Sequence, residues 1–460
     1  VHHSFDLDRF LVPKELVLHV TALIAGAFTW RTRTTRADLF LLGFLALSAI
    51  AVVFATNPWL GVRAMAVSVS GYLIYRAART VPAEPLLNAL ALAVVLASVT
   101  ALLQTYGVWL DLFTDNRAPG GTLGNRNFIG HAAAFGLPVV LLAALRGSRL
   151  APFGVAIVSA ALVLTRSRAA WVAAAVVAVI FIAGMIWGAR VWKRFAVIAL
   201  FAIGGIAAAI LIPNTLRWRS DNPYLESVRG VASYDEGSGR GRLVQYQRSL
   251  RMAAAHPLLG VGPGNWPVDY PEFAARYDPS LDNNEAGMTT NPWPSSDWIA
   301  FISERGFAAA ILLAIAMVLI AFNRSEDALT DITRFATVAG AATTGAFDAV
   351  LLLAAPTLIV WATLGALTTR QPPTDKRQPV VAVLLLLALL GTFRSASQWT
   401  AIEVSKSNIT AAAKIDPANY RLRMRLARGG RRKARCEHAR AAHALFPQAA
   451  EARRLAKGCD

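Results

Sequence analysis

The sequence is poor in charged residues and in cysteine. Only 16% of its 460 residues are Asp, Glu, Lys or Arg, whereas soluble domains carry about 25%. Together with 55% hydrophobic residues, this scarcity excludes an ordinary soluble domain and a disordered chain. The two cysteines, Cys436 and Cys459, cannot build a zinc or redox motif at their spacing. They either form a disulfide, which an oxidising compartment would permit, or remain buried free thiols.

Acidic residues are also scarce, at 28 Asp and Glu against 46 Lys and Arg, for a net charge of +18. In a soluble protein that excess would suggest nucleic-acid binding. Here the excess lies in short connections between apolar runs and in an arginine-rich tail, so we expect no nucleic-acid partner. The sequence contains no Asp/Glu-rich metal motif, so we expect neither a metal nor another cofactor.

Long apolar runs are the dominant feature of the sequence. A bilayer core of about 30 Å needs roughly 20 mostly apolar helical residues to cross it, and many segments qualify. The sequence therefore predicts an all-α, polytopic transmembrane protein with about twelve spans. Their approximate cores are 15–30, 38–56, 60–78, 86–106, 127–145, 151–165, 169–188, 195–213, 297–322, 332–350, 354–369 and 379–394. The tenth and eleventh segments alternatively form a single re-entrant pair.

A basic connection follows every odd-numbered span, and this sets the orientation. Positively charged loops face the cytoplasm, so the long loop 214–296 faces outwards. Both termini are then outside, which would fit a further helix upstream of residues 5–14. The basic residues are Arg31, Arg33, Arg36, Arg76, Arg79, Arg146, Arg149, Arg190, Lys193, Arg194, Arg324, Arg334, Arg370, Lys376 and Arg377.

The spans divide the chain into four predicted parts: N-terminal transmembrane helices over 1–213, an outer loop over 214–296, C-terminal transmembrane helices over 297–394 and a tail over 395–460. A loop this long is expected to have a function and to contain short helices. Apolar spacing predicts one over 242–255, ended by His256-Pro257. The apolar periodicity of the tail resembles a tetratricopeptide-like helical hairpin, a unit suited to packing on the loop or binding a partner.

Two arginines at the outer end of the sixth and seventh spans are candidates for anion binding. Topogenic arginines are expected on the cytoplasmic side, whereas Arg166 and Arg168 lie outside. Arginine holds phosphate oxygens bidentately and stays charged, so the pair would suit a lipid diphosphate. The alternative is that both extend to lipid headgroups. A glycine-rich helix start with Asn125 and Asn127 either orients a sugar or phosphate or forms an ordinary helix cap.

The outer loop contains the most specific motif, the turn 256–266. Glycine or proline occupies four of the five positions 260–264, which imposes a defined backbone conformation. We expect a rigid loop scaffold at this turn. Its expected residues are His256, Gly262, Gly264 and Asn265.

Charged and aromatic residues flank this turn. Arg242 begins the loop helix and is either an anion ligand or a solvated surface arginine. Asp297 and Glu304 are seven residues apart and share a helix face, and Asp297 is either a catalytic carboxylate or a helix N-cap. The loop aromatics either stack on sugar rings or anchor the loop at the membrane interface. They are Trp218, Tyr224, Tyr246, Trp266, Tyr270 and Trp293.

These motifs, in this order, resemble the O-antigen ligase/polymerase superfamily of the WaaL and Wzy type. The resemblance covers residues 120–306, and the string Pro-Leu-Leu-Gly-Val-Gly-Pro-Gly-Asn at 257–265 is its specific part. The motifs are Gly-Thr-Leu-Gly-Asn-Arg-Asn at 121–127, the pair Ser167-Arg168, Arg242 ahead of the turn, and Glu304-x-Gly306.

The resemblance implies a GT-C-like, metal-independent, inverting glycosyltransferase of the bacterial inner membrane. Such enzymes of lipopolysaccharide and polysaccharide biosynthesis move a glycan from undecaprenyl diphosphate to an acceptor hydroxyl on the periplasmic face. Carried over by position, Arg168 and Arg242 would bind the diphosphate, with Arg166 as a helper. Diphosphate is a good leaving group once arginines neutralise its charge.

This chain departs from the family at the position of the presumed base. The family commonly has a His-Asn pair nine residues before the Glu of Glu-x-Gly, and the His activates the acceptor. Ser295 and Ser296 stand there in this chain, and serine is not a general base at neutral pH. Asp297 is the nearest candidate carboxylate. His256 and His131 are the alternatives.

Three kinds of acceptor fit the resemblance. A ligase uses a lipid-linked core, a polymerase uses a growing glycan, and a protein O-oligosaccharyltransferase uses a protein hydroxyl. A lipid-linked glycan transporter or flippase is the competing class, but transporters commonly show inverted repeats. This sequence has no internal repeat, and its special residues gather in one loop and at one face, which favours an enzyme.

Overall fold

The computed structural model describes residues 3–115, 117–218, 220–230, 237–369, 373–375, 377–429 and 432–459. Within these ranges the chain is helical and forms no β-strand. The first eight helices are α1 (His3–Gly26), α2 (Arg36–Val53), α3 (Pro58–Ala78), α4 (Ala83–Thr105), α5 (Arg126–Leu145), α6 (Ala151–Thr165), α7 (Arg168–Gly184) and α8 (Trp192–Leu211).

The second half begins with three helices of the long loop and ends with the tail. The loop helices are α9 (Pro223–Arg229), α10 (Gly237–Ala255) and α11 (Trp266–Phe273). The remaining apolar helices are α12 (Asp297–Ala321), α13 (Ala328–Phe347), α14 (Ala354–Leu367) and α15 (Val380–Val404). The tail helices are α16 (Ile409–Ile415), α17 (Tyr420–Arg428), α18 (Arg432–Leu445) and α19 (Ala450–Lys457).

A helix lies at each of the twelve predicted spans. Seven helices of the described chain are long and apolar enough to cross a membrane: α2, α4, α5, α7 with the turn that follows it, α8, α12 and α15. The helices α6 and α14 are apolar but shorter. The chain is therefore a polytopic helical membrane protein, and the number twelve stays a prediction.

Three helices exceed their predicted bounds. Helix α1 begins at His3 instead of at residue 15, so the segment 5–14, expected as a loop after an upstream helix, is part of α1. The loop helix α10 begins at Gly237 instead of at residue 242, because glycine lowers helix propensity without forbidding a helix. The helix α15 continues to Val404 and crosses the predicted division between 394 and 395 without a break. Its last turns carry Ser, Gln and Thr, which are too polar for a span but remain helical.

The helix α5 forms the centre of the bundle. It packs against α4, α6, α7 and α13, and Phe135 and Val139 are among its fully enclosed side chains. At the periphery, α8 packs on α6 and leaves Leu200 and Ile203 exposed. Exposed apolar residues on an outer helix match a surface that faces lipid.

The basic connections meet at one end of the bundle, here called the basic face. Arg76 donates to the carbonyl of Thr32 at 2.8 Å, Arg146 pairs with Asp327 at 2.6 Å, and the amide of Thr374 donates to the carbonyl of Arg31. The long loop and the tail lie at the opposite end, the loop face, because α3 runs from one end to the other. Arg370 and Lys376 lie outside the described residues.

The tail folds into a small helical cluster at the loop face. Helix α18 packs on both α17 and α19, and a disulfide joins Cys436 to Cys459. The bonded pair resolves the two alternatives that the sequence left open. Arg394 of α15 pairs with the buried Asp416 at 2.8 Å and so attaches the tail to the bundle. The tetratricopeptide likeness of these short helices stays a prediction.

Candidate active site

The turn 257–266 docks directly onto a break in α12. Gly306 has φ +80° and interrupts the helical geometry, so neighbouring backbone groups bond to the turn. Gly262 donates its amide to the carbonyl of Glu304 at 2.9 Å, and Phe307 donates to the carbonyl of Pro257 at 3.0 Å. A Cβ at Gly260 would overlap the backbone of Glu304. We call this contact the loop joint.

Glu304 closes the loop joint with its side chain. Its buried carboxylate accepts the amide of Gly264 at 2.9 Å and that of Trp266 at 3.2 Å. Asn265 pairs in both directions with the backbone of Asn57, at 2.7 and 3.1 Å. The turn is therefore fixed to α12 and to the start of α3. His256 is exposed, and its ring lies 6.4 Å from that of Phe273, outside the cavities described below.

Replacing Gly306 with alanine is expected to weaken the fold. The side chain would need a disfavoured positive φ and would overlap the carbonyl oxygen of Leu258, which together cost at least about 2 kcal/mol. Thermal unfolding in detergent measures the loss. Gly204→Ala is the matched control, since a Cβ there would meet no atom of the described structure within 4 Å. Equal stability of the two variants would contradict the loop joint.

The helix α11, which follows the turn, carries a partly buried carboxyl group, that of Asp269. Thr56 donates its hydroxyl to Oδ1 of Asp269 at 3.0 Å, while Oδ2 has no hydrogen-bond partner among the described residues. Burial raises the pKa of Asp269 to about 6. The folded state therefore favours the protonated form.

The stability of the fold should depend on pH through Asp269. Because the folded-state pKa exceeds the ordinary value of 3.8, ionisation of this group as the pH rises through about 6 opposes folding. Asp269→Asn keeps the acceptor for Thr56 without the charge. We expect it to raise the melting temperature at pH 7.5, with a smaller gain at pH 5. A loss at pH 7.5, or an equal gain at both values, would disprove this account.

A cavity of about 270 Å³ lies at the loop face, and we call it the polar cavity. The loop helix α10, the start of α5 and the end of α13 bring its side chains together. Two of its guanidinium groups, those of Arg117 and Arg242, have no hydrogen bond or ion pair with any described residue. The polar residues that matter most at this cavity are Arg117, Asn125, Asn127, Arg242, Ser295 and Asp348.

Asp348 supplies the carboxylate of the polar cavity. It ends α13, and its Oδ2 accepts Nδ2 of Asn127 at 3.2 Å. Nε2 of His131 lies 3.6 Å from the same oxygen. His131 is fully buried, and neither ring nitrogen has a hydrogen-bond partner among the described residues. The three side chains therefore form a polar cluster at the wall of the cavity.

Asp348 is not among the residues to which the sequence motifs point. It lies within the predicted span 332–350, where an acidic residue is expensive and is by default a functional candidate. That signal was available in the sequence. Asn127 and His131 approach Asp348 only because α5 packs on α13. No local sequence pattern reveals that contact.

Asp297 lies next to this cluster but faces away from the polar cavity. Its carboxylate is fully buried and accepts the amides of Val350 and Leu351 at 2.9 and 2.8 Å. Both oxygens are thus occupied, and the backbone that follows Asp348 is fixed. The N-cap of α12 is Ser296, whose hydroxyl accepts the amide of Ile299. Asp348 likewise accepts a bond at each oxygen, from Asn127 and from the amide of Ala349, but it lines the polar cavity and Asp297 does not. Burial away from the cavity therefore does not suit Asp297 to the role of general base.

The structure does not bring Arg166 and Arg168 to the polar cavity. Arg166 bonds to Ser227 at 2.8 Å and to Glu226 at 3.0 Å. Arg168 donates to the carbonyl of Gly230 at 2.6 Å. Arg166 therefore binds the short helix α9, and Arg168 binds the residue at its C-terminal end. Of the predicted donor-binding residues, Arg242, Asn125 and Asn127 line the cavity.

The six loop aromatics also separate into groups. Trp293 lines the polar cavity, whereas Trp266 and Tyr270 are fully buried and pack on each other. Trp218 stacks under the guanidinium of Arg166 at 4.7 Å. Tyr246 donates its hydroxyl to the carbonyl of Ser295 at 2.6 Å. Trp293 is therefore the loop aromatic best placed to meet a ligand.

Asp297 and Asp348 should differ in their effect on stability. Asp297→Ala removes a buried acceptor of two amides, each bond worth about 1.5–3 kcal/mol when the acceptor is charged. Asp348→Ala removes a partly accessible group at a cavity wall. We expect thermal unfolding in detergent to show a clearly larger loss for Asp297→Ala. The reverse order would contradict the anchoring role of Asp297.

Part of this chain is similar in sequence to a known protein family. A family model described as O-antigen ligase matches residues 153–314, from α6 to the middle of α12. A search of curated proteins gave no match. The matched segment contains Arg242, the turn and Glu304, whereas Asp348 lies beyond it. The family match and the membrane helices together support a membrane enzyme of the O-antigen ligase/polymerase type.

Proposed function

We propose that the protein is a glycosyltransferase that moves a glycan from undecaprenyl diphosphate to an acceptor hydroxyl at the loop face. The observation that carries this proposal is the polar cavity. It combines the guanidinium groups of Arg117 and Arg242, which have no partner in the described part of the chain, with the carboxylate of Asp348. We further propose that the loop face is periplasmic and that the membrane is the bacterial inner membrane, as the basic-face charges favour.

Arg242 and Arg117 serve the leaving group in this proposal. Displacement breaks the bond between the anomeric carbon and the diphosphate oxygen, and the electron pair leaves with the diphosphate. Preorganised cations stabilise that developing charge without rearrangement. Arginine suits the task because its planar group binds phosphate oxygens bidentately. Arg168 and Arg166 contribute by holding α9 and its end in place.

Asp348 serves the acceptor. It takes the proton from the acceptor hydroxyl while the hydroxyl oxygen attacks the anomeric carbon, and direct displacement inverts that carbon. Asn127 and His131 orient the carboxylate. Ser295, which replaces the family histidine, lines the same cavity, so a carboxylate from the end of α13 takes over the work of the absent imidazole. The chemistry is the same for a ligase, a polymerase and a protein transferase, which differ in the acceptor.

Glycan transfer by purified protein tests this assignment. The assay uses an undecaprenyl-diphosphate-linked glycan, a candidate acceptor and EDTA. Asp348→Asn should lower kcat by about 10²–10⁴-fold, the usual contribution of a general base. Arg242→Ala should lower it by about 10²–10³-fold, the usual effect of losing one donor to a developing charge, with partial recovery in Arg242→Lys. EDTA should have no effect.

The matched control for Arg242 is Arg240→Ala, an exposed arginine of the same helix that does not line the polar cavity. Unchanged transfer in Asp348→Asn would remove Asp348 from the mechanism. An equal loss of kcat in the Arg240 and Arg242 variants would mean that only the total positive charge matters, and it would contradict a specific role for Arg242. A wild-type protein that moves the donor across vesicle membranes but transfers to no acceptor would establish transport instead.

A further inference from the structure

A second cavity of about 230 Å³ adjoins the polar cavity at the loop face. We call it the tail cavity, because α17 and the end of α18 close one side of it. The bundle helices α1, α3 and α15 and the loop segment 282–293 form the other sides. Asn291 and Trp293 line both cavities. A molecule in the tail cavity would therefore lie next to the catalytic groups.

The charged groups of the tail cavity already have partners. Arg63 binds Glu15 through two hydrogen bonds, at 2.8 and 2.9 Å. Arg394 pairs with Asp416, and Glu285 accepts the hydroxyl of Tyr420 at 2.7 Å. Two of the three arginines that line the cavity are thus neutralised by carboxylates, which weakens its preference for an anion.

One polar group of the tail cavity lacks a partner. Gln398, on α15, is 7% exposed and lines the cavity. Its Oε1 has no hydrogen-bond partner among the described residues. A buried acceptor without a partner is costly. The oxygen is shielded in the position shown, so a ligand hydroxyl would bond to it once the amide group turns towards the cavity. Asn291 and Asn419 add further amide groups to the same walls.

Aliphatic side chains of α1, α3 and the segment 352–353 line the bundle side of this cavity, and aromatic side chains line the sides formed by the loop and the tail. Trp293 lies at the boundary with the polar cavity, and Tyr420 and Phe446 form an edge-to-face pair at 4.9 Å on the tail side. Burial and the bond to Glu285 raise the pKa of Tyr420, so its hydroxyl stays protonated. Aromatic faces with amide groups between them suit a ligand that is apolar on its ring faces and rich in hydroxyls at its edges, such as a sugar.

The tail is fixed as a wall of this cavity by contacts on three sides. Nδ2 of Asn57 donates to the carbonyl of Leu445 at 3.1 Å. The amide of Ala450 donates to the carbonyl of Ala286 at 2.8 Å, and Arg394 holds Asp416. The walls therefore have a defined geometry in which a specific ligand can be selected.

We propose that the tail cavity binds the saccharide part of the acceptor and that the tail helices thereby select a glycan-bearing acceptor over a protein hydroxyl. The proposal rests on the proposed function for the meaning of "acceptor". The acceptor hydroxyl would pass Trp293 to reach Asp348, while the donor diphosphate stays with Arg242. Gln398 is a binding residue in this scheme and takes no part in the chemical step.

Binding without donor tests the site independently of catalysis. Saturation-transfer NMR on the detergent-solubilised protein uses three probes: delipidated core oligosaccharide, an oligosaccharide of the donor repeat and a serine-containing peptide. We expect saccharide signals with at least one oligosaccharide, and we expect Gln398→Ala to lose them. Gln247→Ala, at an exposed position of α10, is the matched control. Signals from the peptide alone would overturn the proposal.

Kinetics separates binding from structural damage. In the transfer assay, Gln398→Ala should raise the acceptor KM about tenfold while kcat and the donor KM stay within about twofold. Phe393→Ala, at an exposed position of the same helix, should leave all three values unchanged. An unchanged acceptor KM in Gln398→Ala would refute the site. If the wild type binds the oligosaccharide but transfers nothing, the proposed function fails and the saccharide site stands.

Discussion

The loop joint is the contact on which the functional geometry depends. A transmembrane helix normally satisfies its own backbone, because unpaired groups are costly away from water. Gly306 interrupts α12 close to the loop face, and the turn 257–266 supplies the missing partners. Glycine on both sides lets two backbones touch, and Glu304 then binds two further amides of the turn. The loop is thereby attached to the bundle by main-chain bonds that few substitutions could reproduce.

Two neighbouring aspartates illustrate how the bundle divides structural and chemical work. Asp297 has both oxygens occupied by amides of the segment after Asp348, and a buried carboxylate needs such bonds. Asp348 also accepts two hydrogen bonds, from Asn127 and from the amide of Ala349, but its side chain is partly exposed and reaches a cavity. Asp297 fixes the backbone at Val350 and Leu351, and that backbone positions Asp348. A carboxylate can serve as a base only if another group keeps its surroundings rigid.

Much of the architecture follows from local sequence. Apolar length locates the helices, since the cost of exposing backbone in a bilayer acts on each segment separately. Basic residues at the ends of spans identify the basic face, because the orientation of the spans depends on the positive charge of the connections. The helix α15 shows the limit, because its polar last turns look like the start of a tail but remain helical. Glycine and proline in the turn 257–266 likewise predict a rigid loop without revealing what it contacts.

The candidate site follows much less from local sequence. Arg166 and Arg168 meet α9 about sixty residues later, so their position in the motif does not disclose their partners. The contact of Asn127 with Asp348 joins residues 221 positions apart. The structure adds these pairings, and they separate the residues that line a cavity from those that only support it.

The indole of Trp293 has one further consequence. It borders both cavities, so in the proposed reaction both substrates would contact this one side chain. Direct displacement further requires that the two substrates are bound at the same time. The kinetics would then show a ternary complex instead of a ping-pong sequence. After the glycan has crossed this partition, the lipid diphosphate and the extended acceptor can depart by separate routes. Under the proposed function, the protein would exchange its spent lipid carrier without first releasing the extended acceptor.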